Sequence, residues 1–374
     1  MDASRRDPHA SITRGRIVTP LAALAGLSLW VGCKEAPPEL PPGAVLAGDV
    51  AAANRLFSQL KRWEGTKASG WADQRLAQLA DCAGQFSWIA AEGQPDALRC
   101  EALPDLARWS AGHPLVFALP AAAPGRLVGW IDPGETLRLG AELLNAEEDG
   151  IWGLLLPHEQ APGPFVLSDE RALVHGRIRA ARIAALPELV ESGGQGDAMF
   201  GLKSELFTNS ILDGTWEIAV YVPEGEHMLP EVALAVGVRS EELARAALHA
   251  YIDQVEATWK ITFTDGIPGI EGCFEQVNML PGLAPCGAID DGVITLGWNR
   301  QSLDRARSGP PGAAVDGAVV RVSMDRFPEA DRLLSLAFAP DAAPPQVPYP
   351  WSTLELQLRR DDAGVHLSAE ARPR

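Results

Sequence analysis

"TWEIAVYVPEGEHMLPEVALAVGVRSEELARAALHAYIDQVE" (Thr215–Glu256) holds two alternating runs and one helical stripe. In "TWEIAVYV" the apolar residues Trp216, Ile218, Val220 and Val222 share one face, and Glu217 lies on the other. In "EVALAVGV" Val232, Leu234, Val236 and Val238 do the same, opposite small residues and Glu231. A period of two marks strands, and alternation with polar or small residues predicts antiparallel strands with one buried face. From Ser240 the period changes. Ala244, Ala247, Leu248, Tyr251, Ile252 and Val255 form a single helical stripe, with Ser240 as N-cap and Glu241 and Glu242 at the positive end of the dipole.

The same pattern extends outward. "TWKITFT" (Thr258–Thr264) reads as a strand with Trp259, Ile261 and Phe263 inward, and "CGAIDDGVITLGW" (Cys286–Trp298) as a hairpin turning at Asp290-Asp291-Gly292. A short helix (Gln301–Arg307), the strand "AVVRVSM" and a terminal hairpin of "TLELQLR" and "GVHLSAEA" complete the second half. In the first half "HPLVFALP" and "GRLVGWI" read as strands. "DPGETLRLGAELLN" reads as a helix capped by Asp132, with Pro133 in its first turn and Glu135 completing a capping box. "IWGLLLP" (Ile151–Pro157) is then a strand and "PFVLSDERALVHGRI" (Pro164–Ile178) a hairpin. A strand-then-helix unit recurs at Ala44–Leu60, Leu173–Leu189 and Val319–Leu336. The expected fold is therefore α+β: mostly antiparallel sheets with amphipathic helices on one face, in two related modules, 44–190 and 191–374. The Pro-rich stretch Ala339–Trp351 reads as a surface loop held by its aromatics.

Residues 1–43 have another character. Arg5, Arg6, Arg14 and Arg16 precede the apolar run "IVTPLAALAGLSLWVG" (Ile17–Gly32), whose 16 residues are short for a membrane span of about 20. This reads as an export signal, residues 1–32. It ends at Val31-Gly32-Cys33, which resembles the lipobox of bacterial lipoproteins, in which a small residue precedes a cysteine that receives diacylglycerol. That family favours Leu three residues before the cysteine, where this chain has Trp30. The resemblance implies lipidation at Cys33, palmitate among the acyl groups, and attachment to a membrane. "KEAPPELPPG" then buries nothing and favours polyproline II geometry, so 33–43 is a Pro-rich tether.

Setting Cys33 aside leaves Cys82, Cys100, Cys273 and Cys286, in two close pairs. Export implies an oxidising compartment, so two local disulfides are expected, although four cysteines allow three connectivities. Zinc is the rival, without the C-x₂-C spacing or a histidine pair in its favour.

Of 374 residues, 32 are Lys or Arg and 49 Asp or Glu, a net charge of −17. Such a surface repels nucleic-acid phosphates, so no nucleic-acid partner is expected. No nucleophile elbow, zinc-helix motif, P-loop or dinucleotide fingerprint is present, and no cofactor or metal site is expected. The histidines stand singly. His249, His366 and His175 read as exposed or half-exposed, and Asp265–Gly269 as a turn.

"ILDGTWEIAVYVP", "PEVALAVGVRSEELARAALHAYIDQV" and "APCGAIDDGVITLGWNRQSLDRARSG" together resemble a broad group of bacterial envelope proteins that carry a domain of unknown function and are often predicted lipoproteins. The resemblance covers about Ile211–Gly309 and implies no reaction. The expected role is that of a non-catalytic envelope lipoprotein, binding or structural. Lys34, which is not Asp, favours the outer over the inner membrane. The alternatives are a carrier or sensor of a lipid or other apolar ligand, with the eleven Trp lining its cavity, and an envelope hydrolase whose site is assembled from distant residues.

Overall fold

The computed structural model describes residues 44–62, 67–90, 97–102, 112–120, 126–144, 163–179, 211–222, 231–264, 271–275, 283–309, 312, 314–329, 350–361 and 364–374. The expected export signal 1–32, Cys33 and the expected tether, the strand expected at Ile151–Pro157, the turn expected at Asp265–Gly269 and most of Ala339–Trp351 lie outside these residues.

Strand β1 (Ala44–Asp49) leads into helices α1 (Val50–Lys61) and α2 (Lys67–Leu79). Strands β2 (Gln85–Ala90), β3 (Ala97–Arg99), β4 (Leu115–Pro120), β5 (Arg126–Pro133), β6 (Leu137–Leu144), β7 (Gly163–Pro164), β8 (Ala172–Arg179), β9 (Leu212–Tyr221) and β10 (Glu231–Val238) follow. Helix α3 (Glu241–Trp259) precedes β11 (Phe263–Thr264), β12 (Glu271–Phe274), β13 (Cys286–Asp290) and β14 (Val293–Gly297). Helix α4 (Arg300–Arg307), β15 (Ala314–Val315), β16 (Ala318–Ser323) and the hairpin β17 (Trp351–Asp361) and β18 (Gly364–Pro373) end the chain.

Sixteen strands make one sheet in the order β11-β12-β13-β14-β10-β9-β8-β16-β17-β18-β6-β5-β4-β1-β2-β3, and every described pairing is antiparallel. The molecule is strand-dominated. The sheet runs without a break across residue 190, because β8 pairs with β9 and β16, and β18 with β6. Strands β7 and β15 pair separately.

Directly opposed residues in a sheet point to the same face, so the register follows each face from strand to strand. One face carries Leu115, Ile131, Leu139, Ala369, Leu356, Val320, Gly176, Ile218, Leu234 and Leu296 in one cross-strand row. Helix α1 buries Val50, Ala53, Leu56, Phe57 and Leu60 against one end of this face, with Phe86, Phe117 and Leu137. Ala244, Leu248 and Ile252 of α3 cover the other end, packing on Val236, Ile289 and Ile294. On the opposite face His175, Arg321, Glu355, Glu370 and Arg138 are opposed in turn, a polar row in which Arg321 pairs with Glu355 at 2.9 Å.

Several expectations hold. Ser240 caps α3 through its hydroxyl, which accepts the Leu243 N–H. The β13–β14 turn places Asp291 at φ 46° and Gly292 at φ 74°, the primed geometry that suits Asp-Gly. The terminal hairpin pairs from Trp351 to Gly364.

Others are corrected. The helix expected from Asp132 is absent from residues 132–144: β5 and β6 form a hairpin around Gly134, because "LRLGAELL" also alternates and finds partners on both sides, β5 and β18. Pro164–Ile178 is no hairpin, since β7 pairs with β15 and β8 with β9 and β16. Helix α3 runs on through Trp259 and stops where Lys260 turns left-handed at φ 55°, which cuts the expected strand to Phe263–Thr264. Helices lie on both faces, not one: Leu303 and Ala306 of α4 pack on Cys286, Ala288, Ala233 and Ala235, on the polar-row side. Of the three strand-then-helix units, Ala44–Lys61 forms as expected; the strand from Val319 passes through a 3₁₀ turn (Met324–Arg326) into helical residues 327–329, and 330–336 and 180–189 lie outside the described residues.

Candidate functional site

Among the described residues, a cluster of buried polar groups is centred on Glu217. Strand alternation turns it away from Trp216, yet that side is also covered, and Glu217 is 1% exposed. A buried carboxylate is tolerated only with donors around it. The Val166 and Leu167 backbone N–H groups each donate to it at 2.8 Å, and His175 Nε2 lies 2.6 Å from Oε1. The neutral tautomer that satisfies this contact carries its proton on Nε2, and Nδ1 then has no partner among the described residues.

His175, 2% exposed, is thus a core histidine, contrary to expectation. The Phe165 ring covers it, centroids 4.2 Å apart. Arg177, opposed to Glu217, is buried too: burial lowers its pKa, while the charges of Glu217 and Asp213 raise it. Gly163 admits this guanidinium, since a Cβ there would collide with it. Tyr221 donates to the Ser168 carbonyl at 2.9 Å, and burial, then the Glu217 charge, push its hydroxyl far above the ordinary range. Glu231, also buried, pairs with Arg305 of α4 at 2.9 Å.

These contacts dock residues 163–168 and α4 onto strands β8–β10. Ser168 N–H donates to the Ala306 carbonyl, and Gly312 N–H to the Phe165 carbonyl. A His–Glu pair is also a general-base arrangement, but a base must reach a substrate proton. Here two backbone N–H groups occupy the carboxylate and Phe165 covers the imidazole.

A second buried histidine, His366, is 2% exposed where an outward position was expected, and its Nε2 lies 2.9 Å from Asp361. Glu142 stands opposite it on β6. Burial raises the Glu142 pKa, with His366 opposing and Asp361 reinforcing the rise. His249 is exposed on α3, as its position on the polar side of the stripe predicts.

The four cysteines form the two local bonds: Cys82–Cys100 with Cα atoms 4.9 Å apart, and Cys273–Cys286 with Cα atoms 4.0 Å apart. The second joins directly opposed residues of β12 and β13. Phe274 N–H donates to the Pro285 carbonyl, which makes Cys273 and Cys286 a non-hydrogen-bonded pair, where side chains approach most closely. Asp290 of the β13–β14 turn accepts from Arg307 at 3.3 Å. Among the described residues no three His, Cys, Asp or Glu side chains converge on a metal-sized site, and no helix is long and apolar enough to cross a membrane.

The burial of Glu217 and His175 is hidden in the sequence because a polar residue on an alternating strand reads as exposed. A signal was present: the residues beside them on that face, Ala219, Ala233 and Ala235, are small and uncharged, which suits close packing better than solvent. No family model matches the chain, and no curated protein or solved structure matches it.

Proposed function

We propose that the chain is a lipid-anchored protein of the bacterial cell envelope, fixed through Cys33, with a non-catalytic binding or structural role. The observation that supports this most is the pair of disulfides. Such bonds persist outside the reducing cytosol, where the export signal and lipobox-like Gly32-Cys33 would deliver the chain. The engagement of His175 and Glu217 in packing fits a role without chemistry. Lys34 after the anchor favours the outer membrane, and the recurring strand-then-helix units are the trace of an internal duplication. Intact-mass measurement of membrane-extracted protein tests the proposal: a chain starting at Cys33, with added acyl mass and four hydrogens gained on reduction, is expected. An unacylated chain, or one retaining residues 1–32, would remove the anchor.

A second role, carriage of an apolar ligand, is favoured by the middle of the apolar face. Between the ends covered by α1 and α3, Ile218 is 42% and Val320 37% exposed, with Gly176 opposed to both. Native mass spectrometry is expected to show co-purified lipid that Ile218→Asp displaces; a ligand-free spectrum would exclude carriage. A hydrolase role would require labelling by serine-, cysteine- or metal-directed activity probes.

A further inference from the structure

An open cleft of about 460 Å³ lies between helix α1 and the β5–β6 turn. Its helical wall consists of Asn54, Arg55, Ser58, Gln59 and Arg62. At 100° per residue these five fall within an arc of about 140°, opposite the arc that α1 buries, so they form one polar stripe. Glu135 stands on the opposing wall, and Gln59 Nε2 donates to the Gly134 carbonyl at 2.8 Å, joining the walls at one point.

The charge of this cleft runs against that of the molecule. In a chain of net charge −17, Arg55 and Arg62 have no ion-pair partner among the described residues, whereas the neighbouring Lys61 is paired with Asp73. The two arginines are seven residues apart, about 10 Å along the helix, and long enough to converge on one anion between them. A guanidinium only donates hydrogen bonds and matches a carboxylate or phosphate. Glu135 only accepts, and Asn54 and Ser58 do both, which suits a ligand whose remaining groups both donate and accept, as hydroxyl groups do. Two arginines against one glutamate leave a single positive charge to be balanced.

We propose that this cleft binds a polyhydroxylated unit carrying one negative charge, a uronate or a polyol phosphodiester, with Arg55 and Arg62 on the anion and Glu135 on the hydroxyls. The cleft is open to solvent, so the unit can belong to a longer polymer whose neighbours extend beyond it. The site lies on the outer side of α1, away from the apolar face of the sheet, and does not depend on the lipid anchor.

Calorimetric titration of the full chain in detergent, with both disulfides intact, tests the proposal. Trigalacturonate probes the uronate arm, glycerophosphoglycerol the phosphodiester arm, and maltotriose is the neutral control. Saturable binding of at least one acidic probe is expected, and which one binds identifies the source of the anion. Maltotriose is expected not to bind. Arg55→Gln/Arg62→Gln, at two exposed positions, is expected to weaken binding at least tenfold with an unchanged melting temperature. Glu135→Gln is expected to weaken whichever acidic probe binds, because the carboxylate that accepts from its hydroxyl groups is lost. Hydrogen exchange on the unmodified chain locates the site without any variant: bound probe is expected to protect residues 54–62 and 134–135. Failure of both acidic probes to bind, equal binding of maltotriose, undiminished binding by the double arginine variant, or protection elsewhere would each overturn the proposal.

Discussion

Glu217 and Ile218 are neighbours whose environments invert the usual assignment, the carboxylate buried and the isoleucine substantially exposed. Three donors meet the carboxylate, and two of them are backbone groups of residues 166 and 167 with no strand partner to take instead. Removing it strands those donors in a dry interior, where each unmet group costs on the order of 1–3 kcal/mol. Glu217→Ala is therefore expected to destabilise the protein by about 3 kcal/mol in urea unfolding. Glu217→Gln should cost less, since it keeps one carbonyl acceptor but turns an amide NH₂ toward another donor. A loss below about 1 kcal/mol for the alanine variant would mean that other contacts hold residues 163–168 to the sheet.

At the scale of elements, the β5–β6 hairpin shows how pairing overrides a local signal. Asp132-Pro133-Gly134-Glu135 suits a helix start, but equally a tight turn, and only the strands on either side decide between them. Glu142, near the end of β6, carries the consequence of that choice, because the strand places it beside His366 and Asp361 in a half-buried position. Burial makes the folded-state pKa higher than the unfolded one, so the folded protein binds this proton more tightly. Stability then falls as pH rises through that range, and the penalty is present above the raised pKa and absent at low pH. Glu142→Gln is expected to raise the melting temperature at pH 7, with the gain shrinking toward pH 4; equal gains at both pH values would assign the effect to packing.

For the whole molecule, the sixteen described strands of the sheet end at β11 and β3, and the edges of a sheet are where local unfolding and association begin. The disulfides sit at those edges. Cys273–Cys286 joins β12 to β13 beside the terminal strand β11, and Cys100, next to the opposite terminal strand β3, is tied to Cys82 after α2. Each closes a short loop worth about 3 kcal/mol in the chain-entropy model. Serine replacement of all four cysteines is expected to raise hydrogen exchange in β11–β13 and β2–β3 while β8, β16 and β17 stay protected. Uniform acceleration across the sheet would show that the edges and the centre unfold together.

By itself the sequence determined what depends on near neighbours. The helix from Ser240, the Asp-Gly turn of β13–β14, the terminal hairpin and the choice of local cysteine partners all rest on periodicity, capping, turn chemistry or short loop closure. The proposed export signal and anchor at Cys33 rest on the same kind of local reading and lie outside the described residues. Tertiary structure alone decided the strand order, the hairpin at Gly134, the α4 face and the burial of Glu217, His175 and His366. The cleft beside α1 belongs with these, since its walls are some 70 residues apart in the chain and Gln59 meets Gly134 only after folding. The physical reason is the same throughout. Period two says that two sides of a strand differ, but which side is covered depends on segments far away in sequence, and a polar residue is buried wherever those segments bring it enough hydrogen-bond donors.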